Sequence, residues 1–239
     1  MSTYQKDGKQ SQEEDSTSRF LRSWAWKREH RPDKVRFKRP YVYTMEAPGL
    51  AGHLLTVKQA PFSHEGFAST VWDSSIVMAR YFEIHAAQIR GKRCLDLSAG
   101  CGLVGLVMGK LRADVWATDL EPNLPLLKDN FAANGIQCTV REHKWGEDMA
   151  SMDGPFDVIV ACDVMYIGDL VQPLIASLMM LSYEGSDIFM AHGRNRQAED
   201  AFVKACVGRF ACADVPETEL HRVYQCSDVR VLKLRKLAA

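Results

Sequence analysis

From Val71 onward the apolar positions follow two alternating rhythms. In VWDSSIVMARYFEIHA (71–86), Val77, Tyr81 and Ile84 recur at helical spacing, and Asp73 or Ser74 stands where an N-cap belongs. Short apolar runs, RCLDL (93–97), DVWATDL (114–120), QCTVREHKW (137–145), FDVIVACDV (156–164) and SDIFMAH (186–192), have the length and side-chain types of strands. Between them, GLVGLVMGKLR (102–112), PNLPLLKDNFAANG (122–135, ended by Gly135) and segments near 169–182 and 195–209 read as helices. Two last strands, near 219–226 and 228–235, are expected to close the sheet as an antiparallel pair. The alternation predicts an α/β fold, a doubly wound Rossmann-like sheet with helices on both faces.

Upstream the pattern is weaker. Tyr41 to Phe67 is strand-like and turn-rich, broken at Pro48-Gly49 and Ala60-Pro61. Residues 1–18 are polar and expected to be disordered, and Arg19 to Arg39 is strongly basic with Phe20, Trp24, Trp26 and Phe37 interleaved. The organisation expected is a flexible arm over 1–40, polar and then basic, followed by one domain over 41–239. Aromatic residues among basic ones suit stacking on bases, and equally suit packing on the domain or docking on an acidic protein. Nucleic acid is not the expected partner; the arm at 19–39 is where it would bind.

Composition narrows the class. The 239 residues carry 30 Lys and Arg against 30 Asp and Glu, a balance that argues against a polyanionic partner for the chain as a whole. The cysteines number 7, none in a C-x-x-C pair, which fits neither a zinc ribbon nor a disulfide framework. Reduced thiols and a polar start without a leader pattern point to the cytoplasm, with the nucleus left open. No apolar stretch reaches the roughly 18–20 residues that span a bilayer. A monomer without bound metal is the expectation.

Chemistry concentrates at the predicted strand ends, where open α/β sheets bind ligands. Asp96, Asp119, Trp145 and Asp163 all fall there. DLSAGCGLVG (96–105) sets Gly100-x-Gly102-x-x-Gly105 between a strand and a helix, and Asp119 follows at the distance of a ribose-binding carboxylate. That spacing fits a dinucleotide or S-adenosylmethionine. Asp96, ahead of the glycines, would repel a pyrophosphate but suits a cofactor bearing an ammonium and a sulfonium. No Tyr-x-x-x-Lys pair is present, and little chain follows the sheet to bind a hydride acceptor.

VWDSSIVMARYFE, DLSAGCGLVG, TDLEPNLPLLKDN, KWGED and ACDVMY, in this order, resemble the seven-β-strand protein-lysine methyltransferases over about residues 65–235. The resemblance implies a class I methyltransferase sheet, S-adenosylmethionine as cofactor, and a protein substrate such as a chaperone, an AAA ATPase or a translation factor. By position it implies that Ser98, Ala99, Gly100 and Gly102 lie against the methionine part of the cofactor, near Asp96. Asp119, with Leu120 beside it, would hold the ribose; Trp145 would pack near the adenine, Trp72 would border the cofactor, and Ala161 would line its near side. Family members mostly carry glycine where this chain has Ser98, so a positive φ there costs roughly 1 kcal/mol.

Methyl transfer to an amine needs a neutral nitrogen lone pair aligned on the methyl carbon. Asp163 is the candidate for orienting the incoming amine, and Tyr166 for walling its channel. Enzymes that methylate a base amine typically show Asn-Pro-Pro-Tyr at this place; the charged Asp163 suits a cationic side chain better. Pro-Cys and Thr-Cys, expected of cytosine C5 chemistry, do not occur. An RNA or small-molecule methyltransferase on the same fold, or a silent cofactor-binding scaffold, remain the alternative readings.

Overall fold

The computed structural model describes residues 39–60, 70–147, 152–193, 197–225 and 228–238. The basic arm and the stretch around Pro61 to Phe67 therefore lie outside the described residues, apart from Arg39 and Pro40. A hairpin, β1 (Tyr41–Thr44) and β2 (Leu54–Val57), comes first, followed by α1 (Asp73–Ile84). Then β3 (Arg93–Leu97), α2 (Leu103–Lys110), β4 (Asp114–Asp119), α3 (Leu124–Ala133) and β5 (Thr139–Glu142) alternate. The second half runs β6 (Val158–Cys162), α4 (Val171–Leu181), β7 (Asp187–His192), α5 (Glu199–Cys206), β8 (Phe210–Asp214) and β9 (Arg230–Lys236).

Seven strands share one sheet in the order β5-β4-β3-β6-β7-β9-β8. β3 to β7 are mutually parallel, and β9 runs antiparallel to both β7 and β8. The chain builds outward from β3 through β4 to β5, then returns to lay β6 on the other side of β3. That reversal opens a cleft beyond the carboxyl ends of β3 and β6.

Strand periodicity sorts the core into two layers. Cys94, Val158, Val160 and Phe189 face α1, α2, α3 and the hairpin, whereas Leu95, Leu97, Ile159, Ala161, Ile188 and Met190 face α4 and α5. With both faces covered, the central strands read as unbroken apolar runs. The hairpin is tied on by two asparagines one helical turn apart, Asn130 on α3 and Asn134 at its C-cap. Asn134 accepts from Thr56 N–H and donates to Thr56 C=O, each at 2.9 Å. Asn130 does the same for Lys58 and also donates to the Cys101 carbonyl at 2.9 Å, which locks the glycine loop to the same helix.

The expected final pair of strands needs correction. β9 matches the expected strand at 228–235, but its antiparallel partner β8 lies at 210–214, just after the segment read as helix, and 219–226 is not a strand where it is described. FACAD is exposed at every position but Phe210, so it has no apolar alternation to betray it. Residues 219–225 instead pack against α1 and the residue that ends it: His85 Nε2 meets the Glu219 carbonyl at 2.9 Å, and Tyr224 lies over Arg80. The expected caps of α1 are corrected as well. Trp72 is the N-cap residue, and Ser75 accepts its N–H at 3.1 Å and donates to its carbonyl at 2.6 Å. Neither Asp73 nor Ser74 caps the helix.

Candidate active site

A cavity of about 410 Å³ opens at the cleft. It is within the size range of small-molecule sites. Four strand ends supply its walls: Asp96 and Ser98 to Cys101 at the end of β3, Asp119 and Leu120 at that of β4, His143 to Trp145 after β5, and Cys162 to Val164 with Tyr166 at the end of β6. Trp72 and Ser75, from the start of α1, close one side. The structure thus brings together every sequence-selected residue except Gly102 and Ala161.

Those two stand elsewhere. Ala161 is fully buried among Leu95, Ile159 and Met190, because neighbouring residues of a strand point to opposite faces; Cys162 takes the place in the cavity. Gly102 is the N-cap of α2 at φ 85°, and a Cβ there would come within 2.6 Å of Leu127 Cδ1. Its requirement is backbone conformation and packing against α3. Gly105, also in the motif, admits Phe131 and Asp96, which a Cβ would approach to 2.8 and 3.2 Å.

Ser98 has φ 59°, the left-handed conformation that glycine adopts more readily. Its hydroxyl accepts a hydrogen bond from Trp145 Nε1 at 3.0 Å, so the serine clasps the glycine loop to the segment after β5. The bond offsets part of the conformational cost.

Two buried carboxylates form the floor. Asp96 accepts the Gly105 N–H at 2.8 Å, and burial, aided by the charge of Asp119 and opposed by that bond, pushes it up to about 7. Asp119 is also pushed up by burial, and opposed by donors from Asn123 (2.7 Å), Gly100 (2.7 Å) and Leu120 (2.8 Å). Asp119 therefore shapes the loop as well as facing the cavity. Lys144, the one lysine in the lining, is paired with Glu147 at 2.7 Å. A floor of carboxylates repels phosphate and accommodates cationic or hydroxyl-bearing groups.

At the edge, Asp163 has φ 53°. Its N–H donates to the Ala191 carbonyl at 2.8 Å, Oδ1 accepts the Gly193 N–H at 2.8 Å, and Oδ2 accepts the Ser74 hydroxyl at 2.6 Å. Burial raises its pKa, and these donors, with the charge of His192, act against that. Tyr166 is held up at about 12 by burial and the charge of Asp119, so its phenol stays protonated. Burial likewise keeps Cys162 and Cys101 as neutral thiols, which removes them as nucleophiles. Among the described residues the cysteines are free, no group of His, Cys, Asp and Glu has the arrangement of a metal site, and no helix is long and apolar enough to cross a membrane.

Sequence reasoning missed Ser74, Asn123 and His143. Asn123 was legible as the residue four after Asp119 at a helix start. His143, whose Nε2 lies 2.9 Å from Ser177 Oγ, is buried and its pKa lowered for that reason. No local signal couples it to Ser177, nor Ser74 to Asp163.

A family described as lysine methyltransferase matches residues 51–208. Protein N-lysine methyltransferase METTL21A of Mus musculus is 33% identical over 180 residues, which cover 72% of this chain and 82% of that protein. EEF1A lysine methyltransferase 3 of Mus musculus is 32% identical over 143 residues, 59% of this chain and 62% of the relative. Among solved structures, the T. thermophilus 16S rRNA N2 G1207 methyltransferase RsmC, in complex with AdoMet and guanosine, superimposes with a TM-score of 0.61 at 18% identity, covering 83% of this chain and 50% of that one. At that identity the likeness concerns the fold. With a family match over most of its length, and the carboxylate-floored cavity at the switch point of its sheet, the chain belongs to the lysine methyltransferase family.

Proposed function

We propose that the cavity holds the methyl donor and that Asp163, fixed at its edge, orients the lysine amine that receives the methyl group. The protein is an S-adenosylmethionine-dependent protein-lysine methyltransferase. The residues present fit that cofactor: two carboxylates, with Lys144 of the described lining already paired to Glu147, suit a ribose diol and positively charged groups, and the indoles of Trp72 and Trp145 offer apolar walls. When bound, S-adenosylmethionine supplies a methyl on a sulfonium, which leaves as a sulfide when an amine nitrogen attacks in line.

The chain's own residues then have distinct tasks. Asp119 and Leu120 lie where the ribose would be held, and Ser98 to Gly100 where the methionine part would lie. Trp145, clasped to Ser98, closes the adenine side. Asp163 attracts the lysine ammonium and, after proton loss to solvent, accepts an N–H bond so that the lone pair points into the cavity. A lysine with an ordinary pKa near 10.4 gives up roughly 4–5 kcal/mol to become neutral at pH 7; desolvation beside Tyr166 and a neighbouring positive charge reduce that cost. The observation that carries this reading is the left-handed, doubly bonded Asp163 at the mouth of a cavity floored by Asp96 and Asp119.

Replacing Asp119 by Ala is expected to weaken cofactor binding by about 1–3 kcal/mol, the cost of leaving hydrogen-bonding groups unpaired. Calorimetry with S-adenosylhomocysteine checks it, and unchanged affinity removes Asp119 from the ribose site. Asp96 gives a pH signature. Its carboxyl is protonated below about 7 in the free protein, and a bound cation favours the carboxylate. Binding therefore releases a proton below about pH 7: affinity is flat above it and declines as pH falls, by at most about tenfold per unit. An Asp96→Asn protein should show no such slope; a slope that persists assigns the proton to another group.

The acceptor is sought with tritiated S-adenosylmethionine in a cell extract, with and without Asp163→Ala, followed by gel fluorography before and after RNase. A protein band lost in the variant supports the reading, and label confined to RNase-sensitive material overturns it. The relative named for EEF1A makes that elongation factor the first purified acceptor to try. Free thiols support a reducing compartment, and we place the enzyme in the cytoplasm, with the nucleus open.

A further inference from the structure

We propose that Ser74 is a positioning residue for methyl transfer: its hydroxyl, reaching Asp163 from 89 positions away in the sequence, sets the direction in which that carboxylate meets the incoming amine. The inference rests on Asp163 being the orienting group. Ser74 is fully buried, so its hydroxyl has no recourse to solvent, and it donates to Oδ2 at 2.6 Å. The other bonds that hold Asp163, from its N–H to Ala191 and from Gly193 to Oδ1, both belong to the end of β7. Among the described hydrogen bonds, Ser74 alone ties the carboxylate to α1, the element that brings Trp72 and Ser75 to the cavity. Without it, the side chain of a residue already in the left-handed region is anchored from one side.

The bond also adjusts chemistry. An ionised carboxylate has about four lone-pair directions. Two are taken by Ser74 and Gly193, which weakens the carboxylate as a base yet leaves acceptor capacity for an amine N–H. A freer Asp163 would hold the amine's proton more tightly and withhold the lone pair. Among the described residues, the ionisable groups around it are Cys162 beside it on β6, His192 on β7 (itself 3.2 Å from Glu199 of α5), and, across the cavity, Asp96, Asp119 and Tyr166. Ser74 is a donor whose removal leaves all of these in place.

The test compares Ser74→Ala and the near-isosteric, weaker donor Ser74→Cys with wild type, each alone and with Asp163→Asn. Initial rates are read as tritium transferred from S-adenosylmethionine into the labelled extract protein, with cofactor affinity and thermal denaturation alongside. Expected for Ser74→Ala is a turnover about ten- to a hundredfold lower, the size of a lost hydrogen bond to a charged group. Cofactor affinity stays near wild type, melting falls by only the few degrees that one lost buried hydrogen bond costs, Ser74→Cys falls between, and the acid limb of the rate profile moves to higher pH. In the Asp163→Asn background, Ser74→Ala adds no more than about twofold, because coupled residues are not additive. Full additivity, or turnover that Ser74→Ala leaves untouched, overturns the inference. If Asp163→Asn itself leaves turnover unchanged, the assignment of Asp163 fails and Ser74 with it; a slow Asp163→Asn beside an active Ser74→Ala sinks the Ser74 inference alone.

Discussion

Asp163→Asn is expected to lower turnover roughly a hundredfold or more, while cofactor affinity stays within about threefold, because the lost charge acts on the amine and not on the cofactor. The variant should fold. Asparagine tolerates the left-handed conformation, its amide oxygen can accept from Gly193, and its NH₂ can donate to the Ser74 oxygen. What is lost is the attraction for a cationic side chain and an acceptor of full negative charge. Single-turnover methyl transfer and calorimetry on the same preparation separate the two quantities. Parallel losses in both would mean that Asp163 holds the cofactor.

Glu83→Ala is expected to destabilise the fold by about 3–5 kcal/mol, the range for removing one partner of a buried ion pair. Glu83 is buried near the C-terminal end of α1, where Oε1 accepts from Tyr43 at 2.5 Å and from Arg80 at 2.8 Å. Oε2 accepts the N–H groups of Glu46 at 2.6 Å and Ala47 at 2.7 Å. Arg80, itself sandwiched between the rings of Tyr43 and Tyr224, would keep the Thr44 carbonyl at 3.0 Å and, as its one carboxylate partner among the described residues, the half-exposed Glu46 at 3.2 Å. The hairpin, α1 and the turn before β9 all meet at this pair. Urea denaturation measures the effect, and a loss below about 1 kcal/mol would mean that water enters and replaces the carboxylate. Pairing Arg80→Met with Glu83→Leu should recover much of the loss, since apolar replacements remove both buried charges together.

The glycine loop, the strand-end carboxylates and the helices on both faces were all readable, because each rests on a short-range rule. A strand that changes to a helix through glycines has few conformations open to it, and a doubly wound sheet delivers its strand ends to one edge. Ser98 shows the limit of such rules. Its positive φ was expected from position, but its bond to Trp145 arises only when the ends of β3 and β5 converge. Ala161 shows another: the strand was evident, whereas which of its last residues faces the cleft depends on register against β3 and β7. β8 was missed because an exposed edge strand carries no apolar alternation, and its place is set by pairing with β9.

By itself, then, the chain's local pattern determined the order of strands and helices, the cleft that follows from it, and the residue types that line that cleft. Tertiary structure alone decided which partners those residues would have: Ser74 for Asp163, Asn123 and Gly100 for Asp119, and Glu83 for the hairpin. Hydrophobic period acts between neighbours three or four positions apart and is written locally. A hydrogen bond between buried polar groups depends on both being brought together and cut off from water, and nothing short of the folded chain supplies that.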